Sequence, residues 1–164
     1  MKNIFIIVFT IIATFGYSQT YNIVDGGNAN TCSGTFYDDG GVAADYALST
    51  NQVYTICSNN PAFKLEMFFT VFDVESFWDD FTVYDGNSTA SPVIGVYSGN
   101  DLQGQNIFAT GSCLTFEFYS DGSNFSNYAG WEATINCTPC LGPQIAMSNG
   151  SQTLTCGTAY QFFD

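Results

Sequence analysis

From residue 50 onward the chain alternates apolar and polar residues with a period of two. Val53–Cys57 is a short β-rich run. Phe63, Leu65, Met67, Phe69 and Val71 fall on one face of the next run, and Lys64, Glu66 and Thr70 on the other, with Phe68 and Phe72 as apolar exceptions. Phe81, Val83 and Asp85 alternate with Thr82 and Tyr84. Leu114, Phe116, Phe118 and Ser120 alternate with Thr115, Glu117 and Tyr119, and Trp131, Ala133, Ile135 and Cys137 share a further face. This period predicts half-buried antiparallel strands. Gly40-Gly41, Asp85-Gly86-Asn87, Ser98-Gly99-Asn100 and Asp121-Gly122-Ser123 punctuate them as turns. No segment after residue 19 has a helical period. Many short strands joined by Gly/Asp/Asn turns predict an all-β fold, a two-sheet β-sandwich.

The first residues follow a different pattern. Met1-Lys2 is a short positive start, Ile4 to Phe15 is almost unbroken apolar sequence, and Gly16 and Ser18 are small. This is the layout of a secretory signal peptide cleaved after Ser18. The apolar run is shorter than the roughly 20 residues a spanning helix needs, so no membrane insertion is expected after cleavage.

Once those residues are removed, Lys64 is the only basic side chain against 15 carboxylates. Nothing remains to neutralise phosphates, which excludes nucleic acid as a partner. A partner that brings cations, as a metal or as Lys and Arg, fits the charge. The aromatic and β-branched content argues against disorder despite that charge.

Six cysteines, at 32, 57, 113, 137, 140 and 156, read as disulfides in an exported chain, with connectivity left open by the sequence. Cys137-x-x-Cys140 has the spacing of a zinc half-site but lacks a second pair or any His. Residues 145–160, IAMSNGSQTLTCGTAY, echo residues 21–37, YNIVDGGNANTCSGTFY, in order and with a shared cysteine. The echo reads as the start of a second copy of the domain in a longer tandem protein. The expected organisation is a signal peptide over 1–18, a lead-in over 19–31, a sandwich over 32–137, a stiff Pro/Gly linker over 138–144 that is poorly able to continue a strand, and a second repeat over 145–164.

Taken in order, CSGTFYDDGG (32–41), FTVFDVE (69–75), DFTVYDG (80–86), PVIGVYSG (92–99), FEFYSDGSN (116–124) and GWEATI (130–135) resemble the CUB domain, an extracellular module. The resemblance covers about residues 32–137. It implies a jelly-roll-like antiparallel sandwich that in many members carries Ca²⁺ at one end. The ligands it implies here are Glu75, Asp80, Asp121, the Ser123 carbonyl and Asn124. Three carboxylates, two neutral oxygens and water make about six hard ligands, a set that suits Ca²⁺. The chain departs from many members in having Trp78 and Ser98 near the positions of a second disulfide, and in a short loop from Glu75 to Asp80. Cys32–Cys57 and Cys113–Cys137 are the bridges expected beside the resemblance, the latter closing a loop of about 25 residues for ~3 kcal/mol. Cys156 is expected to pair beyond Asp164, and Cys140 is left unassigned. This pattern looks more like CUB-type modules of bacterial secreted multidomain proteins than like animal ones.

The function expected is a secreted, non-catalytic adhesion or binding module. Its acidic loop end, extended by Asp79 and Asp101, would dock an exposed Lys or Arg of a protein partner. A rival is carbohydrate binding as an accessory module of a larger secreted enzyme, with Phe77, Trp78 and Tyr128 as stacking candidates. Catalysis is a poor third: Glu75 and Asp80 are a possible carboxylate pair, but the chain has no His and no GxSxG. Sequons at Asn87, Asn124, Asn136 and Asn149 matter only in a host that glycosylates asparagine, and a glycan on Asn124 would exclude it as a Ca²⁺ ligand.

Overall fold

A computed structural model describes residues 19–123 and 126–140. The expected signal peptide, Asn124, Cys156, the end of the linker and the second repeat therefore lie outside the described residues. Ten strands run in the order β1 (Thr20–Asn22), β2 (Gly27–Asn30), β3 (Thr35–Tyr37), β4 (Asn51–Cys57), β5 (Phe63–Asp73), β6 (Asp80–Tyr84), β7 (Val93–Tyr97), β8 (Asn106–Phe108), β9 (Cys113–Tyr119) and β10 (Gly130–Pro139). They form two five-stranded sheets, β1-β3-β10-β5-β8 and β2-β4-β9-β6-β7. The all-β sandwich read from the alternation is the fold observed. The residues from 19 to 31 do more than lead in, because they supply β1 and β2, which pair in parallel with β3 and β4 at the sheet edges. All other named pairings are antiparallel.

The inner faces follow the pattern closely. Leu65, Met67, Phe69, Phe81, Val83, Leu114, Phe116, Phe118, Trp131, Ala133 and Ile135 are all buried. Trp131 sits at the centre, its ring 4.6 Å from that of Phe81 and 4.9 Å from that of Phe118, distances at which edge and tilted aromatic packing is favourable.

Phe72, an exception to the simple alternation, is explained by a bulge. The β5–β10 register slips where Val71 faces Glu132 and Phe69 faces Ala133, so Thr70 is an extra residue. Beyond it the phase inverts: Phe72 and Val74 point inward and Val71 is only half-buried. The Gln103 side chain satisfies the disturbed backbone. Its Nε2 donates to the Thr70 carbonyl at 2.6 Å, and its Oε1 accepts from the Phe72 N–H at 2.8 Å.

Two expectations about the far end need correction. The bridges are Cys32–Cys137 and Cys57–Cys113, not Cys32–Cys57 and Cys113–Cys137. The strand order is the reason. β4 lies beside β9 with Cys57 directly opposite Cys113, their Cα atoms 4.0 Å apart, whereas neighbours in sequence end up on different strands. Cys32, just after β2, reaches Cys137 on β10 and so ties the two sheets together. Cys140 is disulfide-bonded as well. Nor does Pro139 stop the strand: β10 runs through it, paired with Phe63. The Cys140 N–H donates to the Ala62 carbonyl at 2.9 Å, so residues 139 and 63 form a non-hydrogen-bonded pair. The proline nitrogen then points away from β5, at a height that β3 does not reach, where no donor is needed.

Candidate metal centre

The end of the sandwich opposite the disulfides collects the C-termini of β5 and β9 and the N-termini of β4, β6 and β10. There, one carboxylate oxygen each from Glu75, Asp79 and Asp121 lies within 4.8 Å of the others. Oxygens on opposite sides of a Ca²⁺ ion with bonds of 2.3–2.6 Å stand about 5 Å apart, so the spacing fits one ion between them.

Asp79 takes the place expected of Asp80. In β6 the odd residues Phe81 and Val83 point inward, and the same parity carries Asp79 into the interior, fully buried, while Asp80 faces solvent opposite Tyr119. The alternation of Phe81 and Val83 already contained this answer.

The three side chains are held by different means. Asp79 accepts from the Tyr46 hydroxyl through Oδ2 at 2.6 Å and from the Asp121 N–H through Oδ1 at 2.9 Å. Tyr46 in turn accepts from the Glu75 N–H at 3.1 Å, so one buried phenol links two of the three acidic residues. Burial first, and then its hydrogen bond to Asp79, pushes the Tyr46 pKa up, which keeps it protonated as a donor. Asp121 is fixed by its backbone, its carbonyl accepting from Ser49 N–H at 2.6 Å, and its Oδ1 accepts from Ser123 N–H at 2.8 Å in an Asx turn. That turn places Ser123 next to the cluster, exposed, with Asn124 outside the described residues. Tyr46 gave no sequence signal, since an isolated tyrosine between glycine- and serine-rich stretches reads as a loop residue.

Glu75 differs from the other two. It is buried, yet its Oε2 has no hydrogen-bond partner among the described residues. Leaving a carboxylate oxygen desolvated beside two more carboxylates is costly. Lys64 offers no relief: it pairs with Thr138 at the disulfide end of β5, nine positions before Asp73 and so about 30 Å away along the strand. Tyr128 stands at the rim, its phenol pKa raised by desolvation and by the charges of Glu75, Asp73 and Asp79.

A third buried carboxylate near this end contrasts with Glu75. Asp38 Oδ1 accepts from the N–H groups of Gly40 (2.8 Å) and Gly41 (3.0 Å), and Oδ2 from that of Trp131 (3.1 Å). Burial outweighs these three bonds and pushes its pKa up to about 6. Gly130 is required beside it: its φ is +72°, and a Cβ there would lie 1.9 Å from Asp38 Oδ2.

Between Glu75 and Asp79 the chain makes a tight turn, closed by the Asp79 N–H donating to the Glu75 carbonyl at 3.3 Å. The Val74–Gly99 bridge anchors its start. Gly99 has φ +56°, and a Cβ there would lie 2.7 Å from Ser76 Oγ. At the tip Phe77 is 93% exposed with φ +73°, and Trp78 is 58% exposed.

The CUB domain family model matches residues 26–135, and the chain belongs to that family. Human cubilin is 29% identical over 138 residues, covering 81% of this chain, and rat cubilin 32% identical over 115 residues, covering 64%. The chain spans only 4% and 3% of those proteins. Among solved structures, the CUB1-EGF-CUB2 domains of rat MASP-1 match with a TM-score of 0.57 at 19% identity, covering 73% of this chain and 43% of that one. The MASP-1 CUB2 domain bound to Ca²⁺ matches with a TM-score of 0.56 at 22% identity, covering 68% of this chain and 98% of that one. The bacterial affiliation read from the cysteine pattern finds no support among these relatives.

Proposed function

We propose that this chain is a secreted, Ca²⁺-stabilised, non-catalytic binding module. Glu75, Asp79 and Asp121 hold the ion, the Ser123 carbonyl and Asn124 are further ligands, and the acidic end docks a basic side chain of a protein partner. The observation that carries the reading is Glu75: its Oε2 is buried with no hydrogen-bond partner among the described residues, and it offers a carboxylate oxygen within 4.8 Å of one each from Asp79 and Asp121. A hard divalent cation is the partner that this oxygen set prefers. Three carboxylates against two positive charges leave the site negative after the ion binds, and Asp80 and Asp101 add to that charge from nearby positions. Basic side chains are therefore attracted to it. The known Ca²⁺ in the MASP-1 CUB2 structure supports the choice of ion. The chain spans 4% of human cubilin, and the echo at residues 145–160 supports a second copy of the module in a longer protein.

The test is a thermal melt in Ca²⁺ and in chelator. Calcium at 100 times its Kd should stabilise by about 2.7 kcal/mol, and Asp79→Asn should abolish the shift while Asp80→Asn keeps it. Equal melting in Ca²⁺ and chelator would sink the metal assignment. A shift lost in Asp80→Asn but kept in Asp79→Asn would restore the assignment made from the family spacing.

Glycan binding is a second reading, favoured by the exposure of Phe77 and Trp78. Retention on a polysaccharide that Trp78→Ala removes, with the calcium shift intact, is its expected signature.

A further inference from the structure

The turn from Glu75 to Asp79 joins two features that the metal site alone does not explain. Its ends are two buried carboxylates, and its tip holds two exposed aromatic side chains. Phe77 is 93% exposed in a left-handed backbone conformation. For a bulky non-glycine residue that conformation is strained, and such strain persists only where the surrounding structure enforces it. The enforcement is visible: the Asp79-to-Glu75 hydrogen bond closes the turn, the Val74–Gly99 bridge anchors it, and Tyr46 ties both ends through the Asp79 carboxylate and the Glu75 N–H. Neither Phe77 nor Trp78 belongs to the buried core, so core packing does not account for them.

We propose that Phe77 and Trp78 are an apolar anchor that sets which basic side chains the acidic end accepts: a Lys or Arg flanked by apolar residues on a protein partner. The proposal rests on the basic-partner reading given above and adds the second half of the recognition surface. Charge complementarity selects the occupant. The tip is bracketed by Glu75 and Asp79, with Asp73 and Asp80 just outside, and Lys64 is at the far end of the sheet. A neutral sugar would gain nothing from these charges, and an anionic surface would be repelled by them. A basic side chain drawn to the charge at the two ends of this turn comes close to its tip, where Phe77 and Trp78 are exposed to meet its apolar neighbours. Exposed aromatics on a rigid frame anchor binding at small entropic cost, because two torsions fix each ring. The Trp78 face also attracts the cation itself.

The experiment uses the chain from Gln19 to Asp164 with saturating Ca²⁺ and follows binding by NMR shifts and Trp fluorescence. Two probes of equal charge are compared, acetyl-Leu-Lys-Leu-amide and acetyl-Gly-Lys-Gly-amide, alongside vesicles of phosphatidylcholine. The leucine probe should bind about tenfold tighter than the glycine probe. In the double variant Phe77→Ala/Trp78→Ala that ratio should fall to about one, with the calcium melting shift unchanged, which shows that the variant is folded and loaded. Equal affinities in the unmodified chain would overturn the apolar anchor and leave the basic-partner reading standing. Binding of neither probe, with the calcium shift present, would remove both and leave only the metal site. Vesicle binding that depends on the two aromatics would overturn the protein partner in favour of a lipid surface.

Discussion

The two ends of this sandwich are held by different forces. At one end Cys32–Cys137 joins the sheets and Cys57–Cys113 joins neighbouring strands. At the other, loops converge on buried carboxylates linked by Tyr46 and by backbone N–H groups. The covalent end is fixed at any pH or calcium level so long as no reductant is present. The acidic end depends on protonation and, in our proposal, on a bound cation. A module built this way can change its binding end without loosening its frame.

The largest effect that tests this contrast comes from the covalent end. Replacing Cys32 and Cys137 by Ala releases a crosslink spanning 105 residues, at a cost of about 4–5 kcal/mol, read as a drop in the urea midpoint. At low denaturant the remaining native fraction should still answer to calcium. A calcium response that disappears together with the bridge would show that the ends are coupled.

Next is Asp38→Asn, expected to cost about 1–3 kcal/mol, because an amide turns a donor toward one of the three N–H groups that the carboxylate now accepts. Its pH dependence has a definite sign. The Asp38 pKa is raised from 3.8 to about 6 in the folded chain. The stability this group contributes is therefore fully present below pH 4 and is lost as pH rises through 6. Denaturant titrations in chelator should show a wider gap between native protein and variant at pH 5 than at pH 8. A gap that is constant with pH would refute the raised pKa.

Tyr46→Phe follows, at about 1–2 kcal/mol in chelator, since both Asp79 Oδ2 and the Glu75 N–H lose their partner. Calcium affinity, measured by calorimetry, should fall as well, because two of the three carboxylates lose their common support. The smallest effect is expected of Asp80→Asn, within about 0.5 kcal/mol, with the calcium shift retained. It is the control that distinguishes the inner from the outer carboxylate of the Asp79-Asp80 pair.

Much of the sandwich was legible in the chain because burial on one face forces alternation, and alternation survives in sequence. Trp131, Ala133 and Ile135 or Phe116 and Phe118 need no structure to assign. The phase inversion after Thr70 was legible only as an anomaly at Phe72, since a bulge is specified by the partner strand and by Gln103, thirty-three residues away from Thr70. The disulfide pairing was not legible, because it depends on β4 lying beside β9. Of the expected site residues, Glu75 and Asp121 lie in the carboxylate group that comes together, while Asp79 reads in the sequence only as part of a wider acidic patch. Tyr46 acts through a hydroxyl that reaches the Asp79 carboxylate thirty-three positions away, and such a contact leaves no local trace.

The bulge also absorbs a change of length. Removing Thr70 would restore unbroken alternation in β5 and keep Phe69, Phe72 and Val74 on the inner side, so the core would accept the deletion. Thr70 has no partner of its own on β10, so Val71 would still face Glu132 and Phe72 would still face Trp131. Glu75 would keep its place beside Asp79 and Asp121, and the local loss would be the Thr70 carbonyl that Gln103 now holds. A chain of this fold can gain or lose a residue in the middle of a strand without moving the carboxylates beyond it.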